Sequence, residues 1–436
     1  MAGFFIVLGD EKETVLDENG HAVLDNNGRE KKKVTKTAKK ILEELCEYGY
    51  YSTILPSNDG VQKWSKQKIA TFADYFSMRK GDYIFFFFDR KIYGVGELIN
   101  LSPIEDCKFW AYKDANKPTT RTVSEPLFNE IKLENRCICF FKKVKYFTHA
   151  IDMDEALTTY PNSFKSLRVI QGRSFIKMDD EEAQALYAVL EKNNVFPPED
   201  SVDWTPPEFN SSKQIQAAEK ISSHPNYYNF SVQSLLTNFS PYNIDDANNA
   251  IQEEMAIEAT LVDYLNQGRT EEFGKLDYVS HQVSASPAKP VEYMEWMDVF
   301  GYKASQPLLN RSIPILFAID QYYVFEIKRG CLKLGHRGTR DTKLTKESKA
   351  AANQLMKYVD WIANNYANGK YPMVNGIIVA RDFDESFIKY CKEKCVRNYN
   401  SGYRNSAPAT WDKIKLIKYS FDGNDISFSP VNIPND

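Results

Sequence analysis

The sequence has no run of about 18 apolar residues, the length that a membrane-crossing helix needs. Its longest apolar stretch, Tyr83 to Phe88, is the size of a strand. The opening Met1-Ala2-Gly3-Phe4-Phe5-Ile6-Val7-Leu8-Gly9 is short and lacks the basic start of a secretory signal. A cytoplasmic chain with no membrane partner is therefore expected. Histidine is scarce, with 5 in 436 residues, and no two stand at metal-ligand spacing. There are 7 cysteines, and neither close pair, Cys137 with Cys139 or Cys391 with Cys395, has a second pair at zinc-ribbon spacing. Reduced thiols are expected instead. An excess of positive charge is also missing: 55 Lys and Arg stand against 59 Asp and Glu, a net charge of −4. A uniformly basic surface is excluded, so any nucleic-acid binding must rest on a local patch.

Aromatic residues, by contrast, make up 14% of the chain, with 26 Tyr and 27 Phe, which favours β-rich cores or stacking surfaces. The length allows two or three domains of roughly 150 residues each. Phe196 to Ser212 holds four prolines among polar residues, a linker signature. It places the main boundary after residue 195, with a helical connector to residue 250 and a last domain over 251–436. Residues 213–222 and 244–266 have helical spacing, and 284–290 reads as a loop.

In the front part, residues 4–8 read as a strand. The two pieces Val15-Leu16-Asp17-Glu18-Asn19-Gly20 and Val23-Leu24-Asp25-Asn26-Asn27-Gly28 each end in Asn-Gly and read as surface turns. Helical spacing covers 35–48. Residues 81–99 read as a hairpin turning at Asp89-Arg90-Lys91, and Gly94 and Gly96 leave one face of its return strand bare, as at a bulge or a close approach. Strand-like runs follow near 107–112, 137–147 and 167–178, then a helix over 179–192. With Trp64, the Lys80-Gly81-Asp82 lead-in and the Gly94-Val95-Gly96 return, this order resembles the PUA-like family that includes EVE and YTH domains. The resemblance covers residues 1–195. It implies a small barrel that holds nucleic acid, with an aromatic cage for a modified or flipped base, for which flat ring faces are needed. Trp64, Trp110 and Tyr112 are the candidates for that cage; as ordinary core residues they would look the same in the sequence.

In the rear part, the spacing predicts a strand over 313–319, a turn at Asp320-Gln321 and a strand over 322–328. Two residues apart on a strand, Glu326 and Lys328 share a face, while Tyr323, Phe325 and Ile327 share the other. A charged pair on an apolar strand is costly to bury unless something compensates it. A divalent metal on Glu326 and a phosphate on Lys328 would do so; an edge strand facing solvent would need no such partners. A helix follows over 346–366 with Leu355, Val359 and Ile362 on its core stripe, then a strand over 374–380.

Glu326-Ile327-Lys328-Arg329, the helix Gln354 to Trp361 and the strand Gly376 to Ala380 resemble, in order and spacing, the PD-(D/E)XK superfamily and its NucS-type endonuclease domain. The fold class expected is thus an N-terminal PUA-like β-barrel followed by a restriction-endonuclease-like mixed sheet flanked by helices. The resemblance implies Glu326 as metal ligand, Lys328 at the attacking water and the phosphate, Gln354 as support from the helix, and Glu258 as the acid of the preceding helix. It implies Mg²⁺ or Mn²⁺ as cofactor, DNA as partner and a homodimer as assembly. Between strand and helix, Arg329, Lys333, His336, Arg337, Arg340 and Lys343 form the most basic stretch of an acidic protein, suited to tracking phosphates. One position departs from the family. Pro314 stands where the first-strand Asp is expected; Asp320 falls in the expected turn, and Glu295 or Asp298 would have to take its place.

Two functions follow. One is a metal-dependent endonuclease whose front domain reads a modified, damaged or flipped base, as in restriction, phage defence or repair. The other is a degenerate nuclease fold that holds DNA or recruits an effector. If the basic stretch tracks phosphates, replacing Arg337, Arg340 and Lys343 together with Ala weakens DNA binding at every sequence. It also flattens the dependence of log K on log salt by roughly one unit per lost contact. An unchanged slope in a fluorescence-anisotropy titration would move the DNA track elsewhere.

Overall fold

The computed structural model describes residues 2–54, 66–111, 126–128, 131–132, 136–145, 147–160, 163–164, 175–197, 202–223, 227–228, 244–245, 250–251, 253–285, 295–304, 319–334, 343–402, 406–422 and 425–433. Trp64, Tyr112, Pro314, His336, Arg337 and Arg340 lie outside them, as do the side chains of Trp110 and Lys343. The chain is mixed α/β with several sheets and divides into two compact units.

The first unit takes in residues 1–55, 78–113 and 121–229. Its strands are β1 (Gly3–Val7), β4 (Tyr50–Ile54), β5 (Tyr83–Phe88), β6 (Lys91–Leu98), β7 (Lys108–Ala111), β8 (Arg136–Lys145), β9 (His149–Asp152), β10 (Phe175–Met178), β11 (Val202–Asp203) and β12 (Tyr227–Tyr228). The numbers β2 (Glu11–Thr14) and β3 (Lys32–Lys36) belong to a separate two-stranded ribbon. The main sheet is a curled half-barrel with order β10-β1-β5-β6-β8-β7-β12. Only β1 and β5 run parallel within that path; Phe5 sits opposite Phe85. Between the ribbon strands, Asp17 and Asp25 each turn the chain by accepting two backbone amides, from Asn19 and His21 and from Asn27 and Arg29.

One face of the sheet buries Phe5, Phe85, Val95 and Ile176 against Leu186 and Leu190 of α3 (Asp180–Val195). That helix starts where Asp179 accepts the Glu182 amide at 2.9 Å, an N-cap supported by three acids in the first turn. On the other side of the unit, α1 (Ala38–Tyr48) ends at Gly49, whose φ of 65° a residue with a side chain rarely adopts. The α4 helix (Ser211–Ser223) then seals this end: Gln214 donates to the Gly49 and Phe141 carbonyls at 2.5 and 2.8 Å.

Three sequence expectations change here. The proline-rich segment is not a free linker. Where described, it packs on the first unit, with β11 paired to β9 and the Trp204 indole donating to the Phe147 carbonyl at 2.7 Å. The unit therefore runs on to residue 229 rather than ending at 195. Conversely, residues 56–77, with α2 (Lys66–Ser77), belong to the second unit. The bare face at Gly96 is filled from within, because a Cβ there would lie 2.5 Å from the Phe141 ring. The gap that invites a ligand in the sequence is a packing position in the fold.

The second unit holds residues 56–77, 114–120 and 230–436. Its six-stranded sheet has the order β13 (Tyr278–Ser284), β14 (Trp296–Ala304), β15 (Ile319–Ile327), β17 (Val374–Ala380), β19 (Ile414–Phe421) and β20 (Ile426–Val431). The numbers β16 (Cys331–Leu332) and β18 (Asp382–Phe383) mark a short parallel pair beside it. Antiparallel hairpin pairing links β13 to β15, and β15, β17 and β19 run parallel. Parallel neighbours need a crossover, which α6 (Lys343–Asn365) supplies between β15 and β17. Leu355, Val359 and Ile362 of α6 are fully buried, as the expected stripe requires, against Val324 and Ile378. The helix α5 (Glu254–Gln267) precedes the sheet, and α7 (Glu385–Lys394) follows β18.

Two rear expectations are also corrected. Asp320 and Gln321 do not turn; they lie inside β15, with Gln321 paired to Lys303 of β14. The segment expected as a helix over 244–266 begins with short strands at Ile244–Asp245 and Ala250–Ile251, and the helix proper starts at Glu254.

The filling of Gly96 makes a stability prediction. Gly96→Ala should destabilise the protein by about 1–3 kcal/mol, the usual cost of overpacking, read as a lowered urea midpoint. Trimming the opposing ring in Gly96→Ala/Phe141→Leu should recover part of the loss. An undisturbed midpoint in Gly96→Ala would mean that the ring is not held against this strand.

Candidate functional site

The polar centre of the second unit is built where β14 and β15 run side by side. Glu326 is completely buried on β15, on the same face as Tyr322 and Val324. Val299 pairs with Phe325 across the antiparallel ladder, so the next residues along, Asp298 and Glu326, face each other. Asp298 turns its carboxylate into the ladder and accepts the Ile327 amide at 2.7 Å. The ammonium of Lys328 lies 2.7 Å from Glu326 Oε1 and donates to the Ile327 carbonyl at 2.9 Å. Its approach to Glu326 is off the direction of a hydrogen bond, and both Glu326 oxygens are buried without a hydrogen-bond donor.

Electrostatics follow from this packing. Burial, then the negative charge of Asp298, push the Glu326 carboxyl up to about 8; Lys328 opposes them and Glu254 adds to them. For Lys328, burial acts downward, but Glu326, Asp298 and Glu254 outweigh it and hold the ammonium above its ordinary value. Two acids and one cation thus meet at a corner where Glu326 is buried and Asp298 and Lys328 are partly exposed, and one fixed charge state satisfies it poorly.

The helix α6 closes the corner. Gln354 donates to the Tyr358 hydroxyl, which donates to the Trp296 carbonyl at 2.6 Å, two residues before Asp298. The Tyr358 phenol is held well above its ordinary value, first by burial and then by the charge of Glu326. Tyr358 falls within the Gln354 to Trp361 helix motif but is given no site role from the sequence. Its signal was available, four residues after Gln354 on the same helix face.

The other expected site residues are distributed as follows. Glu258 is buried away from Lys328: it accepts from Gln282 at 2.9 Å and stands 4.0 Å from His281, which reaches Asp74 of α2 at 3.0 Å. The acid of α5 that meets the centre is Glu254, one turn earlier, which accepts the Arg329 amide at 3.3 Å and whose charge is felt at both Glu326 and Lys328. Arg329 is exposed at the end of β15, and its carbonyl accepts from Tyr419. Lys333 is exposed too, with its amide on Ser348 at 3.0 Å. Glu295 pairs with Lys357 at 2.8 Å, and Asp320 is exposed near the other end of β15. Among the described residues, no group of three or more His, Cys, Asp and Glu forms a ready metal cage.

The sequence offers Asp298 only beside Glu295, as an acid that would have to replace the one missing at Pro314, because the strand is expected in the nearer apolar run around Pro314. The signal was the stretch Met297 to Tyr302, apolar except for its second member, Asp298, and the single glycine Gly301. No family model, curated protein or solved structure matches the chain.

Glu326 gives the site a pH signature. A carboxyl raised in the fold stays protonated there, while the unfolded chain gives up that proton from pH 4.5 upward. The stability it contributes is complete below the unfolded value and is lost as pH rises through about 8. Without added metal, Glu326→Gln should therefore gain on the wild type in melting temperature as pH climbs from 5 to 8.5. A difference that is flat across this range would show that Glu326 titrates as an ordinary carboxylate.

Proposed function

We propose that the chain is a metal-dependent DNA endonuclease of the PD-(D/E)XK kind. The observation that carries this reading is the meeting of Asp298 and Glu326-x-Lys328 on adjacent antiparallel strands, beside a helix that presents Gln354 and Tyr358. The degenerate alternative was motivated by Pro314. An acid facing Glu326 from β14 weighs against it.

The residues suit a hard cation. Glu326 offers two buried oxygens without hydrogen-bond donors, and Asp298 brings a second carboxylate to the same corner. Oxygen ligands of this kind, completed by waters and phosphate, fit Mg²⁺ or Mn²⁺, which Asp298 and Glu326 would hold. When bound, the metal supplies Lewis acidity and a more acidic water for phosphodiester hydrolysis. The chain's own groups do the rest. Lys328 is kept cationic to hold the scissile phosphate and orient the attacking water. Gln354 and Tyr358 fix the strand that carries Asp298. The buried wall behind Glu326 keeps bulk water from screening these charges.

The first unit would read the substrate. A half-barrel rich in aromatic residues suits a base drawn out of its stack, with Trp64, Trp110 and Tyr112 as the rings to be tested. A dimer and a cytoplasmic setting belong to the same proposal. Among the described residues, no helix is long and apolar enough to cross a membrane.

Cleavage of supercoiled plasmid with Mg²⁺ or Mn²⁺ tests the reading. Wild type should cut, and Asp298→Asn, Glu326→Ala and Lys328→Ala should each abolish cutting while DNA binding persists. Gln354→Ala should slow it roughly 10–100-fold, the usual effect of a supporting group. Glu254→Gln should impair cutting more than Glu258→Gln. Unimpaired cutting by Glu326→Ala would sink the nuclease reading at this site. Unimpaired cutting by Asp298→Asn would instead send the search for the second acid to Glu254 and Glu295.

A further inference from the structure

The parallel strands β15, β17 and β19 end side by side, next to the Glu326–Lys328 centre. Their register pairs Ile327 with Val379 and Val379 with Ile417. Continued by two residues, it sets Arg329 beside Arg381 beside Tyr419. The backbone confirms the continuation: the Lys328 amide donates to the Val379 carbonyl at 2.8 Å, and the Arg381 amide donates to the Gly330 carbonyl at 3.2 Å. Tyr419 bonds the Arg329 carbonyl, so the turn carrying Arg329 is tied down from the far strand. Neighbouring strands stand about 4.8 Å apart, so two arginines leave one strand end, on the face opposite Glu326 and Lys328.

Their charges converge. Both Arg381 and Arg329 act on the Tyr419 phenol, drawing down a pKa that burial raises. Arg381 is half-buried, and among the described residues it has no carboxylate at ion-pair distance. The nearest acid in sequence, Asp382, is taken by Lys418 at 3.1 Å. Arginine tolerates partial burial and presents a planar fork that matches two phosphate oxygens. An arginine held rigid by backbone bonds, without an acid of its own, beside a proposed phosphodiester-cutting centre is suited to a substrate phosphate.

We propose that Arg381, with Arg329, forms a second phosphate subsite that holds the DNA backbone one step along from the scissile phosphate. This rests on the nuclease reading and adds to it a direction. The cut strand passes round the end of β15, from the face of Lys328 to the face of Arg329 and Arg381, rather than only along the basic stretch that follows Lys333.

The test uses the full-length chain in a Glu326→Ala background, so that DNA is bound but not cut. Duplexes of several sequences are titrated by anisotropy at increasing salt. Adding Arg381→Ala should lower affinity on the order of tenfold at low salt, equally for all sequences, and reduce the log–log salt slope by about one. Arg381→Lys keeps the charge but not the fork. It should restore the slope and only part of the affinity, a pattern that a merely structural arginine would not give. The thermal midpoint of each variant checks the fold. If the Glu326→Ala protein binds DNA and Arg381→Ala changes neither slope nor affinity, the subsite is wrong while the nuclease reading stands. If wild type neither binds nor cuts DNA, both fall together.

Discussion

A carboxyl buried beside a second acid keeps its proton far above the usual carboxylate range, and the polar centre of the second unit is built around one. Glu326 sits in the middle of a sheet whose neighbouring positions are filled by Val324, Phe325 and Ile327. A hydrophobic residue there would pack without penalty. Instead, the carboxyl faces a second acid on β14 and is compensated by one lysine two residues along its own strand. Each member of this group depends on the others. Remove Lys328 and the two acids lose the cation that opposes their mutual effect; remove Glu326 and Lys328 loses the first of the charges that raise it above its ordinary value.

The surrounding fold holds the group in place through its backbone as much as through side chains. Asp298 is aligned by pairing of β14 with β15, so its position is as fixed as the ladder itself. The helix α6 reaches over with Tyr358 to grip the Trp296 carbonyl, and its stripe of Leu355, Val359 and Ile362 anchors it to the sheet. The apolar crossover that builds the core and the polar tie that steadies the site are faces of one helix. Packing precision and site precision therefore come from the same contacts, which is what holding reactive groups within fractions of an ångström calls for.

Much of this was legible in the sequence, and the failures share a cause. Glu326, Lys328, the α6 stripe and β17 follow from local periodicity, which needs no knowledge of partners. Strand pairing is not local. Asp298 and Glu326 stand 28 residues apart in sequence, and the nearer apolar run around Pro314, outside the described residues, is where the acid was sought. On α5, Glu254 and Glu258 are one turn apart, and only tertiary packing decides which meets Arg329 and which meets Gln282 and His281. Gly96 misled in the opposite sense. A bare strand position promises a close approach, and sequence cannot say whether a ligand or, as here, Phe141 makes it. The prolines at 197, 198, 206 and 207 read as a linker because proline is common there. Pro206 and Pro207 also suit an extended segment laid over a surface, next to Trp204, which docks on Phe147.

The division of the chain bears on how such a site could be governed. Residues 56–77 leave the first unit after β4, contribute α2 to the second, and the chain then returns to build β5. Within the second unit, Asp74 of α2 meets His281 of β13, and His281 stands against Glu258 of α5, the helix that also presents Glu254 to the Glu326 corner. A buried histidine between two carboxylates is a rigid joint, because any shift of one helix leaves a charged group without its partner. Gln282 beside it adopts a φ of 52°, a conformation unusual for a residue with a side chain, and bonds Glu258. The joint thus fixes α5 by polar contacts on one side and apolar burial on the other. A chain segment that belongs in sequence to the first unit ends up helping to set the helix from which Glu254 acts. The two units are therefore not separable at a single cut in the chain: truncation after β4 would remove a helix from the second unit as surely as it would remove the strands that follow.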